Sequence, residues 1–382
     1  GLLIPNSKSD ELDKEKGESK GVGLIFEPNS KASYKTSEFD FIATINSFGL
    51  RDDELNIDKG SNYRVMCFGD SWTFGWGVEL ENSWPKKLER FLQEKGIRNI
   101  EVINCGRGGQ YTRTYAEYME KAIPLLKPDL VLVGISQIDD LAQLYENNLA
   151  ISNPAAKLGF SEMINLVTKN FLISSTSNIV KLIGNITQPQ LVEVKSNWET
   201  SSLELINSFN HFQRIRFNAL DDTVQTMFKT GNLNPGLLNN YIGFPERITI
   251  FNNPSHKSTQ FAIDEMDKDL KAMLEICSQN EVKLVFVNMP IDVFTGHTVI
   301  KTPSDVLNHY FMENNKIDSI YQSLALRNNL PYIELTRHFK DFQEKDKYFF
   351  KYDGHPNEKG YEEIGKFVGN HLIENNIITI NK

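Results

Sequence analysis

A serine hydroxyl becomes a useful nucleophile when a base within hydrogen-bond reach takes its proton. A histidine steadied by a carboxylate is the usual base near neutral pH. The sequence offers these three residue types in segments rich in turn formers. Ser71 stands in Gly69-Asp70-Ser71-Trp72-Thr73-Phe74-Gly75, and Asp353 and His355 stand far downstream in Tyr352-Asp353-Gly354-His355-Pro356-Asn357. A third segment, Asn104-Cys105-Gly106-Arg107-Gly108-Gly109-Gln110-Tyr111-Thr112, has three glycines in four positions. Such a turn lets backbone N–H groups approach a ligand closely. It suits a phosphate cradle or an oxyanion donor, but it lacks the glycine spacing and lysine of a P-loop, which disfavours a nucleotide. Taken singly, each segment reads more readily as an ordinary turn than as a site.

The elements around these segments decide the matter. Tyr63 to Gly69 is an apolar run that reads as a buried strand, and Trp84, Leu88, Phe91 and Leu92 then recur at helical spacing behind it. Pro85 suits the first turn of that helix. Further strands are expected at Ile100 to Asn104, Leu130 to Gly134, Val282 to Val287 and Tyr332 to Leu335, separated by helical patterns, with a last helix from about Glu358 to Asn375. Five buried strands alternating with helices imply an α/β fold with a parallel sheet covered on both faces. Ser71, the glycine-rich turn and His355 then all fall after carboxyl ends of strands, where open α/β sheets bind ligands. The rhythm pauses between about 141 and 254 for a segment that is mostly helical by periodicity, a candidate lid or substrate platform. Upstream, residues 1–25 read as a flexible linker and 26–60 as a small β extension. The main domain is expected over 61–382.

Composition narrows the function classes. The chain has 382 residues, 40% hydrophobic and 24% charged, with a net charge of −9. That is the profile of a globular protein, and its acidic balance argues against a dedicated nucleic-acid binder. No run of about 18 uninterrupted apolar residues occurs, so no transmembrane helix is expected. The richest apolar segment, Ile164 to Gly184, is interrupted by Asn165, Lys169, Asn170 and Lys181. Cys67, Cys105 and Cys277 lack metal-ligand spacing and read as small buried hydrophobes. His211, His256, His297, His309, His338 and His371 show no paired spacing either, so neither a metal nor another cofactor is expected. The chain opens on Gly1, which leaves room for a removed export signal. The polar stretch from Asn6 to Lys20 suits a periplasmic or surface-tethered protein as well as a frayed terminus. Compartment and oligomeric state stay open.

The three segments together resemble the SGNH hydrolases, also called GDSL esterases and lipases. Gly69-Asp70-Ser71 with Thr73-Phe74-Gly75 looks like the first block of that family. Asn104-x-Gly106-x-x-Gly109-x-x-Thr112 looks like the second, and Asp353-x-His355-Pro356-Asn357 with Gly360 looks like the last. The lead-in Asn46-Ser47-Phe48-Gly49-Leu50-Arg51 also resembles bacterial members. The resemblance runs from about Asn46 to the C-terminus, apart from the insertion. It implies a flavodoxin-like three-layer α/β/α fold, with Ser71 as nucleophile, His355 as base and Asp353 as its orienting carboxylate. The backbone N–H groups of Ser71 and Gly109 would donate to the oxyanion.

Two departures from the family pattern stand out. The third block ordinarily supplies an Asn side chain to the oxyanion, but here the chain reads Gly134-Ile135-Ser136-Gln137-Ile138-Asp139-Asp140. Asp139 holds the best-aligned position, and an ionised carboxylate only accepts hydrogen bonds. Gln137 is a donor two residues earlier and is the alternative. Asp353 also lies two residues before His355, where many members have three. Trp72 and Trp76 flank the nucleophile and are candidates either for stacking on a sugar or for packing. Arg107 and Arg113 are candidates for an anionic substrate group or for surface ion pairs. The function expected is a serine esterase removing O-acyl groups, chiefly acetyl, from a small ester or a carbohydrate or cell-surface glycan. An acyltransferase to a glycan hydroxyl is the first alternative, and a non-catalytic glycan-binding protein on the same fold is the second.

Overall fold

The computed structural model describes residues 23–36, 38–137, 139–152, 192–195, 198–231, 235–238, 242–243, 246–290, 316–341, 347–350 and 353–378. Most of the expected linker and the apolar segment Ile164 to Gly184 lie outside them. No helix among the described residues is long and apolar enough to cross a membrane.

The central sheet contains β3 (Tyr63–Gly69), β4 (Ile100–Gly106), β5 (Leu130–Ser136), β7 (Lys283–Met289) and β8 (Tyr332–Glu334). All pair in parallel in the order β4-β3-β5-β7-β8, the flavodoxin-like order that places the first strand of the motif second from one edge. The near-continuous burial of β3, β4, β5 and β7 follows from their apolar runs, since a strand covered on both faces needs no polar alternation. Helices α2 (Trp84–Glu94) and α13 (Glu358–Glu374), the latter following α11 (Ile317–Arg327) and α12 (Thr336–Lys340) in the chain, pack together. A second group is formed by α3 (Thr112–Leu126), α4 (Asp139–Ser152) and α10 (Lys257–Gln279). The two groups flank the sheet, as the β-turn-α rhythm predicts. Cys67, Cys105 and Cys277 are buried free thiols within this core.

The N-terminal extension forms a hairpin, β1 (Lys31–Lys35) and β2 (Asp40–Thr44), paired antiparallel. Here the structure departs from expectation. The segment between β5 and β7 is not wholly helical, because β6 (Val192–Lys195) adds to β1 in parallel and completes a three-stranded sheet. A four-residue strand stabilised by a distant partner leaves no local periodicity to read. The rest of the described insertion is helical: α5 (Trp198–Ser208), α6 (His211–Asn218), α7 (Asp222–Lys229), α8 (Pro235–Leu238) and α9 (Glu246–Asn252).

Between these parts lies α1 (Ser71–Phe74), a single turn directly after β3. A Cβ on Gly106, at the end of β4, would lie 2.1 Å from Phe74 N and 2.4 Å from the Thr73 carbonyl carbon. No side chain bends away from backbone at that range, so α1 sits where it does only because residue 106 is glycine. Gly106→Ala should therefore destabilise the protein by about 1–3 kcal/mol, the usual cost of overpacking. The shift would be read as a lower denaturation midpoint in urea, and an unchanged midpoint would show that the turn moves without strain.

Candidate active site

Asp70 caps α1, its Oδ1 accepting from Trp72 N at 2.9 Å, and Gly75 ends the helix in the left-handed region at φ 83°. This tight turn delivers Ser71 to the carboxyl edge of the sheet. The opposing side comes from the loop before α13. Phe350 N donates to His355 O at 2.8 Å, and Asn357 Oδ1 accepts from Lys359 N and Gly360 N, so the chain leaves the loop through a capped helix start.

These elements bring Ser71 Oγ to 2.8 Å from His355 Nε2, and His355 Nδ1 to 2.5 Å from Asp353 Oδ1. All three residues are buried. The two-residue spacing between Asp353 and His355 is therefore compatible with contact. Burial alone would raise the Asp353 carboxyl. The charge and hydrogen bonds of His355, with Trp76 adding to them, hold it below its ordinary value. Asp353 N also donates to Glu38 Oε2 at 2.8 Å, a contact from the tip of the N-terminal hairpin that no sequence signal announced.

Gly109 adopts φ 72°, a left-handed conformation that glycine takes without penalty. Neither its N–H nor that of Ser71 has an acceptor among the described residues. Asn104 Oδ1 accepts from Gly106 N at 2.9 Å, and its Nδ2 donates to Phe74 O at 3.3 Å. The glycine-rich turn and α1 are thus tied together.

The lead-in clamps the same turn from below. Asn46 Oδ1 accepts from Phe48 N and Leu50 N, which folds the segment and aims Arg51 inward. Arg51 Nη1 donates to Phe74 O and Gly75 O at 2.6 and 2.8 Å, and its Nη2 donates to Val78 O at 2.7 Å. The guanidinium lies over the Phe41 and Phe74 rings, and burial lowers it to about 10. Asp52 accepts from Asn104 N and Lys86 Nζ, and burial raises its carboxyl to about 6.

Several expected site residues fall elsewhere. The amide nitrogen of Gln137 is committed elsewhere: its Nε2 donates to Thr336 Oγ1 at 2.7 Å and to Asp318, within a buried polar cluster that includes Asn288. Its position at the end of β5 directs the side chain toward β7 and β8. Asp139 is paired with Arg247, which arrives from the insertion. Trp72 is 1% exposed and lies against His355 and Phe349. Trp76 is 5% exposed and is enclosed by Tyr34, Phe39 and Phe41. With so little surface free, these indoles are packing residues that wall the histidine, and neither offers a face to a sugar. Arg107 donates to Ile25 O and stacks on Phe26, away from any substrate role. Arg113 pairs with Glu265 and Asp269 of α10 as a structural ion pair.

A flavodoxin-like sheet thus carries a Ser–His–Asp arrangement at its carboxyl edge. More narrowly, residues 67–211 match the GDSL-like Lipase/Acylhydrolase family. The matched segment holds Ser71, Gly109 and Asp139, while Asp353 and His355 lie beyond it. Among curated proteins, an arylesterase of Vibrio mimicus is 29% identical over 87 residues. That match takes in 23% of this chain and 43% of the relative, so the chain spans less than half the length of that protein. Similar solved structures include the lipase/acylhydrolase from Enterococcus faecalis, at 13% identity and TM-score 0.38 over 84% of this chain and 98% of that one. Another is the acetyl xylan esterase AlAXEase, at 14% identity and TM-score 0.39 over 81% of this chain and 100% of that one.

Proposed function

We propose that this protein is a serine esterase that hydrolyses O-acyl esters through an acyl-enzyme on Ser71. The observation that carries the reading is the unbroken chain from Ser71 Oγ to His355 Nε2 at 2.8 Å and from His355 Nδ1 to Asp353 Oδ1 at 2.5 Å. Ser71 Oγ attacks the ester carbonyl as His355 Nε2 takes its proton. The N–H groups of Ser71 and Gly109 donate to the oxyanion. The tetrahedral centre then expels the alcohol, which leaves with the proton from His355. Water attacks the Ser71 ester, gives its proton to His355, and the second collapse returns that proton to Ser71 Oγ and frees the acid.

In its finer form the proposal takes the acyl group to be acetyl and the alcohol to be a carbohydrate or cell-surface glycan. This part rests on the family resemblance, since Trp72 and Trp76 give it no support. The test is to mix the protein with an aryl acetate, quench rapidly and look for acetyl on the Ser71 peptide by mass spectrometry. An acetylated Ser71 that decays to acetate in buffer supports the esterase. Acetylation that persists until an oligosaccharide is added, with acetyl passing to the sugar, would turn the reading to an acyltransferase. No labelled serine would end both.

A further inference from the structure

The helical insertion sends a buried cation to the edge of the site. Arg247, in α9, is 1% exposed. Its Nε and Nη2 donate to the two oxygens of Glu146 at 2.5 and 2.7 Å, and its Nη1 donates to Asp139 Oδ1 at 2.9 Å. Glu146 grips one edge of the planar fork and so fixes the direction of Nη1. Asp139 is the first residue of α4, immediately after β5, and β5 pairs with β3 so that Gly134 faces Gly69. Ser71 follows two residues after Gly69, and the charge on Asp139 acts on Asp70, its immediate neighbour.

The register thus puts a carboxylate at the same carboxyl edge of the sheet as Ser71, where negative charge develops during acyl transfer. Like charges in a dry site repel strongly. Asp140, the next residue, is pushed well up by burial, with Asp70 adding to the effect. The described charged groups around Asp139 are Arg247 from α9, Asp70 from the turn after β3, and Asp140 and Glu146 from its own helix.

We propose that Arg247 is a positioning residue of the esterase site. By pairing with Asp139 it cancels most of the repulsion between that carboxylate and the oxyanion on the Ser71 acyl centre. The insertion is then an electrostatic part of the site. The inference rests on the reading of Ser71 as the nucleophile.

The test compares the parent protein with Arg247→Gln, Asp139→Asn and the double variant. Each preparation is counted by titrating Ser71 with a fluorophosphonate, and kcat and KM on an aryl acetate are expressed per titrated serine. Thermal midpoints are measured alongside. Arg247→Gln should lose about 10- to 100-fold in kcat, the range of a lost oxyanion contact or somewhat below it, with KM little changed. Asp139→Asn in the same chain should recover most of that loss. Asp139→Asn alone should be about threefold or more faster than the parent, because a salt bridge cancels the carboxylate incompletely.

The inference is overturned if Arg247→Gln turns over at the parent rate per titrated serine. It is equally overturned if the double variant regains its thermal midpoint but stays slow, since Arg247 would then be structural only. Should Arg247→Gln fail to fold, Asp139→Asn alone decides: a rate below the parent's in a folded protein overturns the inference. A parent that neither reacts with the probe nor turns over would remove the functional reading and this inference with it. A reactive parent with indifferent variants would remove this inference alone.

Discussion

Ser71→Ala is expected to lower kcat/KM for an aryl acetate by about 10⁴- to 10⁶-fold, in line with loss of a serine nucleophile whose base and oxyanion donors remain. The fold should survive. The hydroxyl's one hydrogen-bond partner among the described residues is His355 Nε2, so its removal costs about 1 kcal/mol. The backbone N–H of residue 71 persists in the variant, which is why residual turnover above the uncatalysed rate is expected. Fluorophosphonate labelling should vanish with the activity. A variant that hydrolyses the ester at the parent rate would remove Ser71 from the mechanism.

His355→Ala should cost nearly as much as loss of the serine, since the two act as one unit. Asp353→Asn should cost less, by roughly one to two orders of magnitude, because only orientation and charge support are lost. An amide at 353 can donate to Nδ1 and so favour the tautomer whose Nε2 already carries a proton, the wrong form for accepting one from Ser71. Stability should separate the two changes as well. The folded Asp353 carboxyl lies below its unfolded value, so the unfolded chain takes up the proton first as pH falls. The contribution is fully present above about pH 4, the unfolded aspartate value, and is lost as the pH drops through the lower folded one. Urea midpoints measured from pH 7 downward should therefore fall in the parent over this acid range. In Asp353→Asn that component should be missing. Parallel curves for the two proteins would show that Asp353 is not held in the charged form by its partners.

The residues proposed for the chemistry could be picked out in the sequence because they sit in local patterns with local causes. Gly69-Asp70-Ser71 is a strand end followed by a capped helical turn, and both can be read from neighbouring residues. Asp353-Gly354-His355-Pro356-Asn357 likewise ends in a helix cap. The apolar runs of β3, β4, β5 and β7 announced a sheet buried on both faces, and the order of their connecting helices limited its topology.

What the sequence left open depends on where distant side chains arrive. Gln137 and Asp139 are two residues apart, and spacing alone made both candidates for one role. Tertiary packing separated them, turning Gln137 to Thr336 and Asp318 and giving Asp139 to Arg247, more than a hundred positions downstream. The hairpin carrying Glu38 meets the loop of Asp353 across an even longer interval. Trp72 and Trp76 show the same limit, because an aromatic beside a nucleophile has the same local signature whether it lines a cleft or fills a core. Backbone periodicity and caps are short-range properties, so composition and order determined the frame and the place of the proposed nucleophile. Charge compensation and burial are properties of groups brought together only when the chain closes, so the surroundings of Asp139, the role of Arg51 and the enclosure of His355 were decided by the tertiary structure.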